Sequence, residues 1–194
     1  GGMRLRPLVG LIMKSSVYQI GATPTPSNVE DEVNFSRASV RLLPAEVLLD
    51  AISQTLDVPG DYQDAPPGLR AVQLPGVARD VAFLQTFGKP ERLLTCECER
   101  SESTTLAQAF EMINGEAVRR QLEDPDNRIG KMTARRLGDD RTLDELYLAA
   151  LCRAPSPSER SRAIEYVGRS GDRRAAWEDL AWALLNSKEF LLRH

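Results

Sequence analysis

The chain has 194 residues, 42% of them hydrophobic, enough for one real core. Lys and Arg total 25 against 28 Asp and Glu, a net charge of −3. So mild an acidity argues against a dedicated nucleic-acid binder, whose footprint is a basic patch.

The whole chain, residues 1–194, reads as a single helical domain or two tightly packed helical halves. The expected fold is all-α: an irregular bundle of about seven to nine short helices, long ordered loops and at most one short strand pair. No apolar run is long enough for a bilayer span and no signal peptide is visible, so direct membrane insertion is not expected. The Gly1-Gly2 opening and the start in mid-structure suggest a C-terminal fragment of a larger protein.

Arg6-Pro7 supplies a proline for a first helical turn, and Leu8, Leu11, Ile12 and Ser15 follow at helical spacing. A helix is predicted over residues 6–19. Pro24 and Pro26 make residues 21–27 a loop. Residues 28–41 read as an irregular connector anchored by Val33, Phe35 and Val40. Pro44 opens the next helix, with Val47, Leu48, Ala51, Ile52 and Thr55 on one face and Glu46 at its positive end. Pro59-Gly60 closes it. Residues 58–77 form a long Pro- and Gly-rich loop, with Ala71-Val72-Gln73-Leu74 as its one possible strand. It reads as a surface wrap, although long loops in compact domains are often functional. Asp80 can cap a short helix carrying Phe83, Leu84 and Phe87, an aromatic pair expected in the core.

The stretch Cys96-Glu97-Cys98-Glu99-Arg100 comes next and draws most attention. Thr105-x-x-Gln108 behind it fits a capping box, and Leu106, Ala109, Phe110 and Ile113 recur at helical spacing. Asn114 is placed to cap a second helix through Val118 and Leu122. Three readings of the cysteines stay open. In a regular strand both share a face, as structural thiols. One of them can pair with Cys152, whereas a bond between Cys96 and Cys98 closes a small, strained ring. A metal site is the weakest reading, because partner ligands are scarce and zinc favours C-x-x-C.

Asp124-Pro125-Asp126-Asn127 is a turn without calcium-loop spacing. Short helical patterns follow at residues 128–137 and from Thr142-x-x-Glu145, a second box, with Cys152 at the end. Ser156-Pro157-Ser158-Glu159 is a third box, its helix facing inward with Ile164 and Val167. Gly171-Asp172 starts the last long helix, where Trp177, Leu180, Ala181 and Leu184 align. Trp177 and Trp182 are expected to pack, and Phe190 and Leu191 to anchor the end.

The residue inventory excludes several chemistries. His194 is the only histidine and the last residue, which argues against Ser-His-Asp, Cys-His and His-rich metal arrangements. No Gly-rich phosphate loop is present. Carboxylates are plentiful, but nothing singles out a pair.

The run CECER-SESTTLAQAFEMINGE resembles the PSD-type domain of unknown function found at the C-terminus of large planctomycete proteins. Arg41–Glu46, Phe83–Pro90 and Leu184–Phe190 resemble it too, in the same order. The resemblance implies an exported, extracytoplasmic protein with a c-type cytochrome domain upstream, absent here because no C-x-x-C-H occurs. It implies no reaction and assigns no catalytic residue. The expected function is therefore a non-catalytic helical structural or interaction module without catalytic, metal or cofactor residues. Its partners would be upstream domains of the same parent chain or another protein. The rival is part of an extracellular enzyme acting on glycan-type substrates, its site completed by upstream domains. A weaker rival is a thiol redox or metal element at Cys96 and Cys98.

Overall fold

A computed structural model describes residues 4–31, 33–62, 65–74, 82–87 and 115–193. The fold is all-α, an irregular bundle with long connections. Among the described residues, β pairing is confined to two-residue strands, β1 (Arg41–Leu42) with β2 (Leu192–Arg193). The chain divides into two compact units: Gly1–Arg41 with Leu192–His194, and Leu42–Leu191.

The larger unit is built on two hub helices. The first is α2, Ala45–Leu56, which buries Ala45, Leu48, Leu49, Ile52 and Leu56. Around it pack a 3-10 turn (Ala71–Gln73), α3 (Ala82–Thr86), α4 (Glu116–Glu123), α5 (Arg128–Ala134) and α6 (Asp139–Leu151). The second hub is α8, Arg173–Leu185, which packs on α4, α5, α6, α7 (Pro157–Arg169) and α9 (Lys188–Leu191). Helices α4, α5 and α6 touch both hubs, so one continuous core runs between them. Phe83 and Phe87 lie stacked in it, ring centroids 4.4 Å apart.

Local chemistry explains most boundaries. Ser156 accepts from the Glu159 N–H while the Glu159 carboxylate accepts from the Ser156 N–H, the expected capping box with Pro157 at the first position. Asp172 caps α8 through the Ala175 N–H. Asn127, fully buried, opens α5: its oxygen accepts from the Gly130 N–H, and its nitrogen donates to the carbonyls of Leu122 and Gln121. It thereby ties the end of α4 to the start of α5. Gly130 is required there, because a Cβ would stand 1.9 Å from the Pro125 carbonyl oxygen.

Several sequence expectations are corrected. Helix α6 begins at Asp139 with Gly138 as N-cap, so Thr142 lies inside it, buried, rather than capping it. Asp139 and Asp140 in the first turn suit the positive helix end and extend it backward. Gly115, not Asn114, is the N-cap of α4. Of the expected strand at residues 71–74, Ala71–Gln73 form the 3-10 turn instead, since the Asp50 carboxylate accepts from the Ala71 and Val72 amides. Trp177 is core, but Trp182 is 36% exposed.

The smaller unit is different in kind. Helix α1 spans Leu5–Met13 and stops short of residue 19. The Ser15 hydroxyl donates to the Ile12 carbonyl and accepts from the Tyr18 N–H, closing a turn that competes with further helix. Residues 28–41 are irregular as expected, but Val33 (77% exposed), Phe35 (76%) and Val40 (47%) do not anchor them. Asp31 does: its carboxylate accepts from the amides of Val33, Asn34 and Ser36 and from the Ser36 hydroxyl. Those bonds, the Ser36 hydroxyl first, hold the Asp31 carboxyl well below the usual carboxylate range. None of the described residues from 4 to 41 is buried.

Candidate functional site

The stretch Cys96–Arg100 and the Thr105 capping box lie outside the described residues. Cys152 is the C-cap of α6, exposed and in the left-handed region at φ 54°. No disulfide partner for it is found among the described residues.

One concavity among the described residues lies in the larger unit, where the chain leaving α2 meets α3 and α4. Its construction starts at the end of α2. Asp57 turns the chain left-handed at φ 57°. Arg128 donates to the Thr55 carbonyl at 2.6 Å and the Gln54 carbonyl at 3.0 Å. Lys131 reaches the Asp57 carbonyl at 3.0 Å and its carboxylate at 2.6 Å. Two cations thus satisfy the negative end of α2, and the Lys131 hydrogen bond lowers the pKa of Asp57. The loop beyond is fixed by Gly60, whose carbonyl accepts from the Gly68 N–H. A Cβ on Gly60 would sit 2.6 Å from the Tyr62 ring and 2.8 Å from the Leu69 carbonyl oxygen.

The resulting cleft has a volume of about 410 Å³. It is lined by the apolar Leu49, Val58, Phe83 and Ala117 and by Asp61, Tyr62, Glu116, Arg120, Gln121 and Asp124. Burial, aided by the Asp50 charge, pushes the Tyr62 phenol up to about 12, so it stays a neutral donor at any physiological pH. Glu116 and Arg120 pair across one helical turn at 2.7 Å. The Gln121 side-chain oxygen is buried without a hydrogen-bond partner among the described residues. Such a cleft can hold a ligand that donates hydrogen bonds. Among the described residues no three His, Cys, Asp or Glu side chains converge as for a metal ion. No described helix is long and apolar enough to cross a membrane.

The 58–77 loop thus contributes to a cleft, through residues 58–62, besides wrapping α2. Sequence reasoning singled out the loop but not Tyr62 or Gln121. The signal for Tyr62 was its place beside Pro59-Gly60; Gln121 carried none, because its position depends on α4 meeting the loop.

The helices and cleft define an all-α domain whose geometry names no reaction. The PSD1 family, described as a protein of unknown function (DUF1553), matches residues 1–167, and the chain belongs to it. No curated protein and no solved structure matches the chain.

Proposed function

We propose that the chain is a non-catalytic helical structural and interaction module of a large exported protein, with residues 4–41 as its contact face. The observation that supports this most directly is the apolar surface of that segment. Twelve large apolar side chains there are exposed, among them Leu5 (77%), Leu11 (71%), Val17 (75%) and Phe35. A unit of this size with no core of its own gains stability by association. Its partners are upstream domains of the same parent chain or another protein, in an extracytoplasmic setting, without nucleic acid, cofactor or membrane insertion.

Hydrogen exchange tests the reading. In the isolated chain the amides of residues 5–18 should exchange far faster than those of α2, and should slow when the chain is produced together with the upstream domains. Protection equal to that of α2 in the isolated chain removes the reading.

The cleft favours a second reading, in which this domain forms part of an enzyme acting on glycan-type substrates. The Asp61, Glu116 and Asp124 carboxylates that line it are suited to accept from sugar hydroxyls. Saturation-transfer NMR with short cello-, xylo- and chito-oligosaccharides tests it; no transfer to any of them counts against it.

A further inference from the structure

Asn34-Phe35-Ser36 carries a pattern that neither the core nor the cleft uses. An asparagine followed two residues later by serine or threonine, with no proline between them, is the acceptor pattern for N-linked glycosylation. The chain has five asparagines, Asn28, Asn34, Asn114, Asn127 and Asn186, and only Asn34 meets the pattern. An acidic residue, Glu32, stands two places before it in sequence, where bacterial acceptor sites carry one. So short a pattern also arises by chance, and the local structure has to decide.

Residues 33–37 are bends and irregular chain, and Asn34, Phe35 and Ser36 are all exposed. In a helix, residues two apart do not face each other. Here the Asn34 side-chain amide donates to the Asp31 carboxylate at 3.1 Å, and the Ser36 hydroxyl donates to the same carboxylate. The acceptor nitrogen and the hydroxyl that marks it therefore stand side by side. Phe35, between them, takes the left-handed region at φ 53°, a costly place for a residue with a bulky side chain, and is 76% exposed. Backbone strain of this kind gathers where a site is presented. The bond that holds the Asn34 amide is exposed, so water replaces it at little cost and the nitrogen is free to react.

We propose that Asn34 is an N-glycosylation site, modified on the outer side of the export membrane by an oligosaccharide carried on a polyprenyl diphosphate. The transfer joins Asn34 Nδ2 to C1 of the first sugar and breaks the bond from that carbon to the diphosphate oxygen. The polyprenyl diphosphate leaves, the amide proton passes to a base of the transferring enzyme, and nothing is oxidised or reduced. This inference rests on the exported half of the module reading and goes beyond it. The first sugar would lie beside the exposed Val33 and Phe35, which leaves chiefly α1 for a protein partner.

The test uses the protein as its source organism makes it. Trypsin cuts after Lys14 and Arg37 and releases residues 15–37 as one peptide, which holds Asn34 and also Asn28 as an internal control. Electron-transfer fragmentation should show a mass gain of whole sugar units on Asn34 and none on Asn28. Asn34→Gln and Ser36→Ala should abolish the gain, and Ser36→Thr should keep it, since threonine supplies the same hydroxyl. Far-UV melting checks that the variants keep the helical fold. Sugar on Asn28 or on a hydroxyl, or sugar that survives Ser36→Ala, overturns the site. Cell fractionation separates the remaining failures. A bare peptide on exported chain removes the glycan and leaves the module reading standing, whereas a bare chain confined to the cytoplasm removes both.

Discussion

Among the described residues, those of 42–191 bury twenty-five apolar side chains, while those of 4–41 bury none. Composition does not separate the two: fifteen of the 38 residues from 4 to 41 are hydrophobic, close to the 42% of the whole chain. What differs is arrangement. In the larger unit, hubs α2 and α8 each present an apolar stripe to several neighbours, so each buried residue excludes water from others. In the smaller unit one helix is followed by a connector held through the Asp31 carboxylate, and polar bonds fix its shape without covering its apolar groups. Hydrophobic content therefore measures what a segment can bury, and neighbours decide what it does bury.

Substitutions should widen or erase this contrast. The largest effect is expected in the first hub: Leu48→Ala should cost about 3 kcal/mol in urea unfolding, because Leu48 is fully buried and its cavity cannot close. A loss below about 1 kcal/mol would mean the larger unit is loosely packed. Asn127→Ala comes next, at about 2 kcal/mol, since it strands the Leu122 carbonyl and the Gly130 amide in the interior. Ser156→Ala should cost about 1 kcal/mol through the lost cap of α7. At the other extreme, Leu8→Ala should change the stability of the isolated chain by less than about 0.5 kcal/mol. A larger loss would show that α1 is covered and that the contrast between the units fails.

Acid sharpens the same comparison. Two hydrogen bonds from Arg153, with those from Ser156, hold the Glu159 carboxyl at about 2, below its ordinary 4.5. A carboxyl depressed in the folded state stabilises fully above its unfolded value and loses that contribution as pH falls through the folded one. Stability of the larger unit should therefore decline as pH drops from about 4.5 toward 2, and Glu159→Gln should flatten that part of the profile. An unchanged profile in Glu159→Gln would show that the Arg153–Glu159 pair contributes no linkage. Arg153 also grips Glu189 on α9 at 2.7 Å and lies 5.4 Å from the Tyr147 ring centre, so one guanidinium links α6, α7 and α9.

Much of this fold was legible in the sequence. The all-α class, the Ser156 box, the Asp172 start, the Pro44 start and the core place of Phe83, Phe87 and Trp177 follow from local signals that packing leaves intact. Thr142 misled because a capping box is only a pattern: Gly138 and two aspartates offered an earlier start at the same helix. Val33 and Phe35 misled because apolar residues were taken to require burial. The 3-10 turn at residues 71–73 was invisible because its determinant, Asp50, lies 21 residues away on another element. The cleft was illegible for the same reason, since Tyr62, Phe83 and Gln121 meet only through the fold. The CxC stretch, the most conspicuous local feature, lies outside the described residues.

The family match ends at residue 167, inside the last turns of α7, yet the second hub starts only at Arg173. Ala176, Trp177, Ala181 and Leu185 from that hub, with Phe190 beyond it, complete a core whose other buried members lie within the matched span. The edge of the family match is thus not the place where the chain finishes folding. A piece trimmed at the family edge would carry an open seam along α4, α5 and α6, and would behave as a different physical object from the domain it was cut from.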